Sequence, residues 1–215
     1  MTEMSERKAR VNACQNPAGL RGRLTLWLMN WRHSSVTDWG LSHVSVNQQD
    51  TILDVGCGGG RTVNKLAAMA HEGKVYGIDH SGQSVMVASN VNRREIEMGR
   101  VEIREASVLQ LPFADSAFDL VTAVETHFWW PDLPAGMKEI LRVLKPGGRL
   151  VIIAEIYKAA NAKITRFEEA ITKGGMKLLS TDEHRQLFEG TAYSDVQIFT
   201  EPAKAWICCV GRKPC

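Results

Sequence analysis

The sequence predicts an α/β domain with a doubly wound, mostly parallel sheet and helices on both faces. Three observations point there. From residue 50 onward, short β-rich runs alternate with stretches of helical periodicity, the order that gives parallel strands joined by crossover helices. The first run, 51–55, leads directly into Gly56-Cys57-Gly58-Gly59-Gly60, and the second ends on an acid, Asp79, 23 residues after Gly56. Third, the chain of 215 residues, 44% apolar and 23% charged, has the make-up of one ordinary globular domain. Disorder, collagen-like repeats and coiled coil do not fit that composition, and this length buries a core without staples.

Residues 1–19 are polar and end in the turn cluster Asn16-Pro17-Ala18-Gly19. Leu24, Trp27, Leu28 and Trp31 share one helix face, so 20–46 is expected to pack as a helix or to lie over a pocket as a lid, with Trp39 and His33 nearby. Thr51-Ile52-Leu53-Asp54-Val55 is the first strand. Val63, Leu66, Ala67 and Ala70 line a helix closed by Gly73. Residues 74–79 form the second strand, and Ser81 caps a helix running to about Met98. Strands three and four are 101–104 and 118–124. Met137, Ile140, Leu141 and Leu144 form a helix face, Lys145-Pro146-Gly147-Gly148 is a turn, and 149–154 is the fifth strand. A helical stretch is expected from 160 to about 173. Ser180 and Glu183 form a capping box, and 196–200 and 206–210 are two closing strands. No repeat or linker divides the chain, so it reads as one domain: 1–46 as an N-terminal helical lid, 47–155 as the core, and 156–215 as further helices and the closing strands.

The charge balance narrows the function. Twenty-six Lys and Arg against 24 Asp and Glu give no electrostatic reason for nucleic acid or an anionic membrane as partner. The five cysteines are odd in number and lack C-x-x-C spacing, which disfavours a disulfide framework or a zinc site and suits reduced thiols in a cytoplasm. The first residues lack the apolar core of a signal peptide, and no stretch approaches the 18 apolar residues of a membrane span.

The chemistry concentrates at the glycine loop. Glycines between a strand and a helix let the backbone approach a ligand, and the helix start aims amide groups at it. A carboxylate ending the second strand suits a ribose diol. The dinucleotide pattern G-x-G-x-x-G fails because its sixth position is Arg61, and no Gly-Lys-Ser/Thr follows to make a P-loop. S-adenosylmethionine (SAM) remains as the common nucleoside ligand.

Four motifs in order, ILDVGCGGG at 52–60, VYGIDHS at 75–81, LPFADSAFDLV at 111–121 and EILRVLKPGGRLVI at 139–152, resemble the class I SAM-dependent methyltransferases. The likeness is to the small-molecule group that includes the ubiquinone and menaquinone biosynthesis methyltransferases, and it covers about 45–155. It implies a Rossmann-like seven-stranded sheet with an antiparallel closing strand and SAM as cofactor. By resemblance, Gly56, Cys57, Gly58 and Gly59 lie under the methionyl part, Asp54 steadies that loop or reaches the SAM ammonium through water, and Asp79 takes the ribose. His80, Ser107 and Val108 flank the adenine, and Val124 presents backbone near the sulfonium. The sequence departs from the family at Ser107, where many members carry Asp; a neutral hydroxyl is a weaker acceptor than a carboxylate.

After strand four comes Glu125-Thr126-His127-Phe128-Trp129-Trp130-Pro131-Asp132, at the strand end where doubly wound folds bind ligands. Its aromatic rings can sandwich a flat acceptor or stabilise a sulfonium, or else pack the following helix. His127 is a candidate general base and Glu125 a candidate polar catalytic group. Glu155 and Tyr157 are further acceptor-side candidates. No metal is expected. The motifs of base N-methylation, cytosine C5 methylation and arsenic methylation are missing. The resulting expectation is a methyltransferase acting on a small molecule by in-line displacement, monomeric or homodimeric. The alternatives are a non-catalytic SAM-binding module and a SAM-fold enzyme with other chemistry.

Overall fold

The computed structural model describes residues 34–158 and 176–215. The expected helices on 20–31 and 160–173, with Trp27, Trp31 and His33, lie outside the described residues. Within them the elements are α1 (Ser34–Leu41), β1 (Thr51–Val55), α2 (Arg61–Met69), β2 (Lys74–Asp79), α3 (Gly82–Val91), α4 (Arg93–Glu97) and β3 (Val101–Glu105). There follow β4 (Phe118–Val124), a 3-10 turn (His127–Trp129), α5 (Leu133–Val143), β5 (Leu144–Ala154), α6 (Thr181–Gly190), β6 (Ser194–Glu201) and β7 (Trp206–Arg212).

The sheet has seven strands in the order β3-β2-β1-β4-β5-β7-β6. β1 to β5 run parallel, and β7 is antiparallel to both β5 and β6. This is the expected Rossmann-like architecture with an antiparallel closing strand. The strand order reverses direction between β1 and β4, which leaves a crevice at their carboxyl ends.

Alternation along the central strands explains why both faces must be covered. Leu150, Ile152 and Ala154 of β5 join one core with Met137 and Ile140 of α5 and Phe188 of α6. Val151 and Ile153 point the other way, to a second core with Val36, Val63, Leu66 and Ala88 from α1, α2 and α3. Apolar residues on both faces of a strand demand helices on both sides.

The differences from expectation are local. The helix after Ser81 breaks at Asn92, a fully buried residue whose amide donates to the carbonyls of Gly60 and Ala88, both at 2.9 Å. Asn92 thus serves the glycine loop instead of continuing the helix. Leu144 starts β5 instead of ending the helix face, pairing with Phe118 before a register shift accommodates 145–148. The capping box of Ser180 and Glu183 is present in full. Two of the family-like motifs form a clamp: Arg142 donates to the carbonyls of Phe113 at 2.9 Å and Leu111 at 3.1 Å, while Glu139 accepts from the Leu111 amide at 2.8 Å. The clamp fixes the loop that follows 106–108.

Candidate active site

At the carboxyl ends of β1, β2 and β4 the chain encloses a cavity of about 360 Å³. Its floor is the glycine loop. Gly56 has a left-handed φ of 74°, and a Cβ there would run into the Thr126 hydroxyl, so only glycine fits. Gly60 also has a left-handed φ, 79°, and a Cβ on it would come within 2.7 Å of the Ala88 backbone. The loop therefore packs tightly against α3 on one side and against the turn after β4 on the other. Its amides are organised by carbonyls and by one carboxylate. Gly56 and Cys57 both donate to the Ile78 carbonyl at 2.8 Å, and Gly58 donates to Oδ2 of Asp79 at 2.9 Å.

Asp79 is 8% exposed and lines the cavity. Its Oδ1 accepts from the Ser81 amide at 2.9 Å, so each oxygen holds one backbone donor and keeps lone-pair capacity for a ligand hydroxyl. His80 is exposed on the rim, its Nδ1 3.6 Å from Asp79. Asp54 does not line the cavity. It is 1% exposed beneath the loop, accepts from the Thr122 hydroxyl at 2.7 Å, and burial pushes its carboxyl up to about 7. Cys57 lines the floor with its thiol driven well above the usual range, chiefly by burial and then by the charges of Asp54 and Asp79.

Ser107, Val108 and Val124 line the cavity, and the Ser107 hydroxyl accepts from the Leu109 amide at 3.2 Å. The lining continues through Thr126, Trp129, Trp130 and Pro131, with Glu125, and Trp130 and Val108 pack around the same Gly136 position. Glu125 has a left-handed φ of 57°, its carboxylate accepts from the Glu155 amide, and its own amide donates to Ile153 at 2.9 Å. A non-glycine residue in that conformation stores about 1–3 kcal/mol of strain, which is common at functional sites.

His127 is placed differently from the general base expected of it. The 3-10 turn swings its ring inward; it is 2% exposed, is not among the cavity-lining residues, and faces His184 on α6. A ring in that position does not reach a substrate in the cavity. Trp39 also leaves the pocket: it packs against His43 and Trp206, while Ser34 and Thr37 of the same helix line the cavity. The sequence reading missed Arg61, Lys65 and Thr126 on the wall. Their only signal was position, at the start of α2 and just beyond β4. Lys65 donates to the Ser34 carbonyl and hydroxyl and pairs with Asp38, tying α1 to α2 at the cavity edge.

A glycine floor, a carboxylate at the end of β2 and a lining that continues through 106–108 fit SAM. Comparison with known proteins agrees. A methyltransferase domain family matches residues 53–152. Over that stretch the chain is similar to SAM-dependent methyltransferases. It is 30% identical over 160 residues to an O-methyltransferase, cnsE, of Penicillium expansum, covering 66% of this chain and 58% of that one. It is 28% identical over 148 residues to a 2-phytyl-1,4-naphtoquinone methyltransferase of Trichormus variabilis, covering 68% and 64%. The chain spans less than two thirds of the length of the curated relatives it matches. In fold it is similar to geranyl diphosphate C-methyltransferase from Streptomyces coelicolor, solved with S-adenosyl-L-homocysteine, at a TM-score of 0.75, 15% identity and 99% coverage of both chains. Among the described residues no helix is long and apolar enough to cross a membrane, and no group of three or more His, Cys, Asp or Glu side chains is arranged to hold a metal ion.

Proposed function

We propose that the protein transfers a methyl group from SAM to a hydroxyl of a flat, largely apolar small molecule. The observation that carries this reading is the division of the cavity into two unlike walls. One is made of glycine backbone and the Asp79 carboxylate, the other of Trp129, Trp130 and Pro131. The names of the relatives, O-methyltransferases and a naphthoquinone methyltransferase, support an acceptor of that kind.

Bound SAM supplies a methyl group on a positively charged sulfur. The chain's own residues do the rest. Gly56, Cys57, Gly58 and Gly59 form the floor and Asp79 holds the ribose diol. His80, Ser107 and Val108 border the adenine, and Val124 lies toward the reacting end. Asp54 holds the loop from below through Thr122. The tryptophan wall aligns the acceptor and excludes water; alignment of this kind accounts for a large part of the rate in a displacement reaction. Glu125 is the carboxylate positioned to receive the hydroxyl proton, in place of His127.

The same reading treats 1–46 and 156–215 as parts of one domain that cover the site, with no nucleic acid partner and a monomeric or homodimeric state. The cysteines Cys57, Cys208 and Cys209, all unpaired, suit a reducing cytoplasm. The test is incubation with SAM and a panel of phenols, hydroquinones and aliphatic alcohols, with S-adenosylhomocysteine release as readout. Turnover restricted to aromatic hydroxyls is the expected result. Tight SAM binding with no turnover across the panel would favour a non-catalytic module.

A further inference from the structure

Behind the tryptophan wall two buried rings meet edge to edge. Nε2 of His127, in the turn after β4, lies 3.2 Å from Nε2 of His184 on α6; the two residues are 2% and 1% exposed. One carbonyl decides the protonation of both. Nδ1 of His184 is 2.8 Å from the Ser180 carbonyl oxygen, which can only accept. Nδ1 of His184 therefore carries the hydrogen, and its Nε2 is a lone pair. The Nε2–Nε2 contact then requires the hydrogen on His127. That leaves Nδ1 of His127 as a bare acceptor, buried and without a partner among the described residues.

The same turn is tied to the segment leading into α6 by two more bonds. The Phe128 carbonyl accepts from the Lys177 amide at 3.1 Å, and the Pro131 carbonyl from the Lys177 amine at 3.1 Å. Phe128 to Pro131 carry the wall. The histidine pair is thus a side-chain link between the turn that carries the wall and α6.

We propose that His184 is a positioning residue for the acceptor wall, holding the 126–131 turn through a fixed tautomer of His127, and that proton uptake by this pair opens the wall. The proposal rests on the reading of Trp129 and Trp130 as the surface that receives the acceptor. A proton added at the bare Nδ1 of His127 would bury a cation that no carboxylate among the described residues faces. Among the described residues the charges acting on the pair are few. His184 acts on His127, and Glu183 acts on His184, its carboxylate engaged by Ser180 and 3.7 Å from Lys158. Burial lowers the basicity of both rings, His127 the more strongly. A conformer that exposes the rings regains their ordinary affinity for protons, so falling pH favours it.

The experiment combines imidazole nitrogen NMR with hydrogen exchange of 124–133, referred to the core strand 148–154. At pH 7.5 the expected result is two neutral rings of opposite tautomer, hydrogen on Nδ1 of His184 and on Nε2 of His127. Between pH 7.5 and 5, protection of 124–133 should fall by about tenfold beyond the intrinsic rate change, with 148–154 unchanged. His184→Leu should show that loss already at pH 7.5. His184→Gln, whose carbonyl oxygen can still accept from His127, should restore protection at pH 7.5. Equal tautomers in the two rings, acid-independent protection in the wild type, or no rescue by glutamine would overturn the proposal. Failure of the wall reading is seen separately: Trp129→Ala would leave methyl transfer unchanged while the exchange results stand.

Discussion

The two walls of the cavity are built by different physics. The wall proposed for the cofactor is backbone: amides of Gly56, Cys57 and Gly58 held by the Ile78 carbonyl and the Asp79 carboxylate. The wall proposed for the acceptor is side chain, and it stands through contacts between segments far apart in sequence, such as His127 with His184. A backbone site tolerates few substitutions and accepts one ligand shape. A side-chain site can be repacked to suit another acceptor while the first stays intact. The difference shows how one scaffold can keep its cofactor and change its substrate.

Breaking the backbone wall should have the largest effect. Gly56→Ala puts a Cβ against Thr126 and forces a left-handed φ on alanine, a cost of about 1–2 kcal/mol before the clash. Calorimetry should show SAM affinity falling by more than about a hundredfold, with the sheet still folded by circular dichroism. Asp79→Ala comes next. It removes the ribose acceptor and frees two amides, Gly58 and Ser81, so SAM binding should weaken by about 1–3 kcal/mol. Unchanged affinity in a folded Asp79→Ala protein would mean that the backbone alone holds the cofactor.

The same contrast explains what could be read from the sequence. Gly56 and Asp79 announced themselves because a strand, a glycine turn and a second strand end are local patterns with one geometric outcome. The strands were legible for the same reason, as was the capping box at Ser180. The fate of His127 was not legible. Its position after β4 is correct for catalysis, but a 3-10 turn decides which way the ring points, and its partner lies on α6. The helix break at Asn92 was not legible either, because that amide donates to Gly60, a contact between distant segments. Trp39 followed the expected helix but faced β7 instead of the pocket.

A subtler test concerns the acid beneath the backbone wall. The Asp54 carboxyl is raised by burial to about 7, against 3.8 when unperturbed. The folded protein therefore binds more protons than the unfolded chain between those values, and Asp54's contribution to stability is lost as pH rises from about 4 to 7. Asp54→Asn keeps an oxygen for the Thr122 hydroxyl and removes the buried charge. It should raise the melting temperature at pH 8 by several degrees and leave it nearly unchanged at pH 4. SAM brings positive charge above the loop and should favour ionised Asp54, so its binding below pH 7 should release protons, seen as a buffer-dependent calorimetric enthalpy. In the Asn variant that release should vanish and SAM affinity at pH 8 should fall by about tenfold. A wild-type enthalpy independent of buffer would show that cofactor binding leaves the protonation of Asp54 unchanged.

The smallest expected effect lies where the two walls adjoin, at Ser107. Its hydroxyl accepts from the Leu109 amide at 3.2 Å, an arrangement that an aspartate side chain also makes at the start of a turn. Ser107 lines the cavity beside Val108, so a carboxylate there would gain a stronger acceptor for an adenine amino group without giving up the local bond. The cost is another negative charge in a cavity that already holds Asp79 and Glu125. Rim exposure weakens that repulsion. The net should be unchanged to severalfold tighter SAM binding for Ser107→Asp, with the gain shrinking as salt is raised. A tenfold loss of affinity in a folded variant would show that 106–108 does not border the adenine. The cofactor would then be turned within the cavity, and the line between backbone wall and side-chain wall would have to be redrawn.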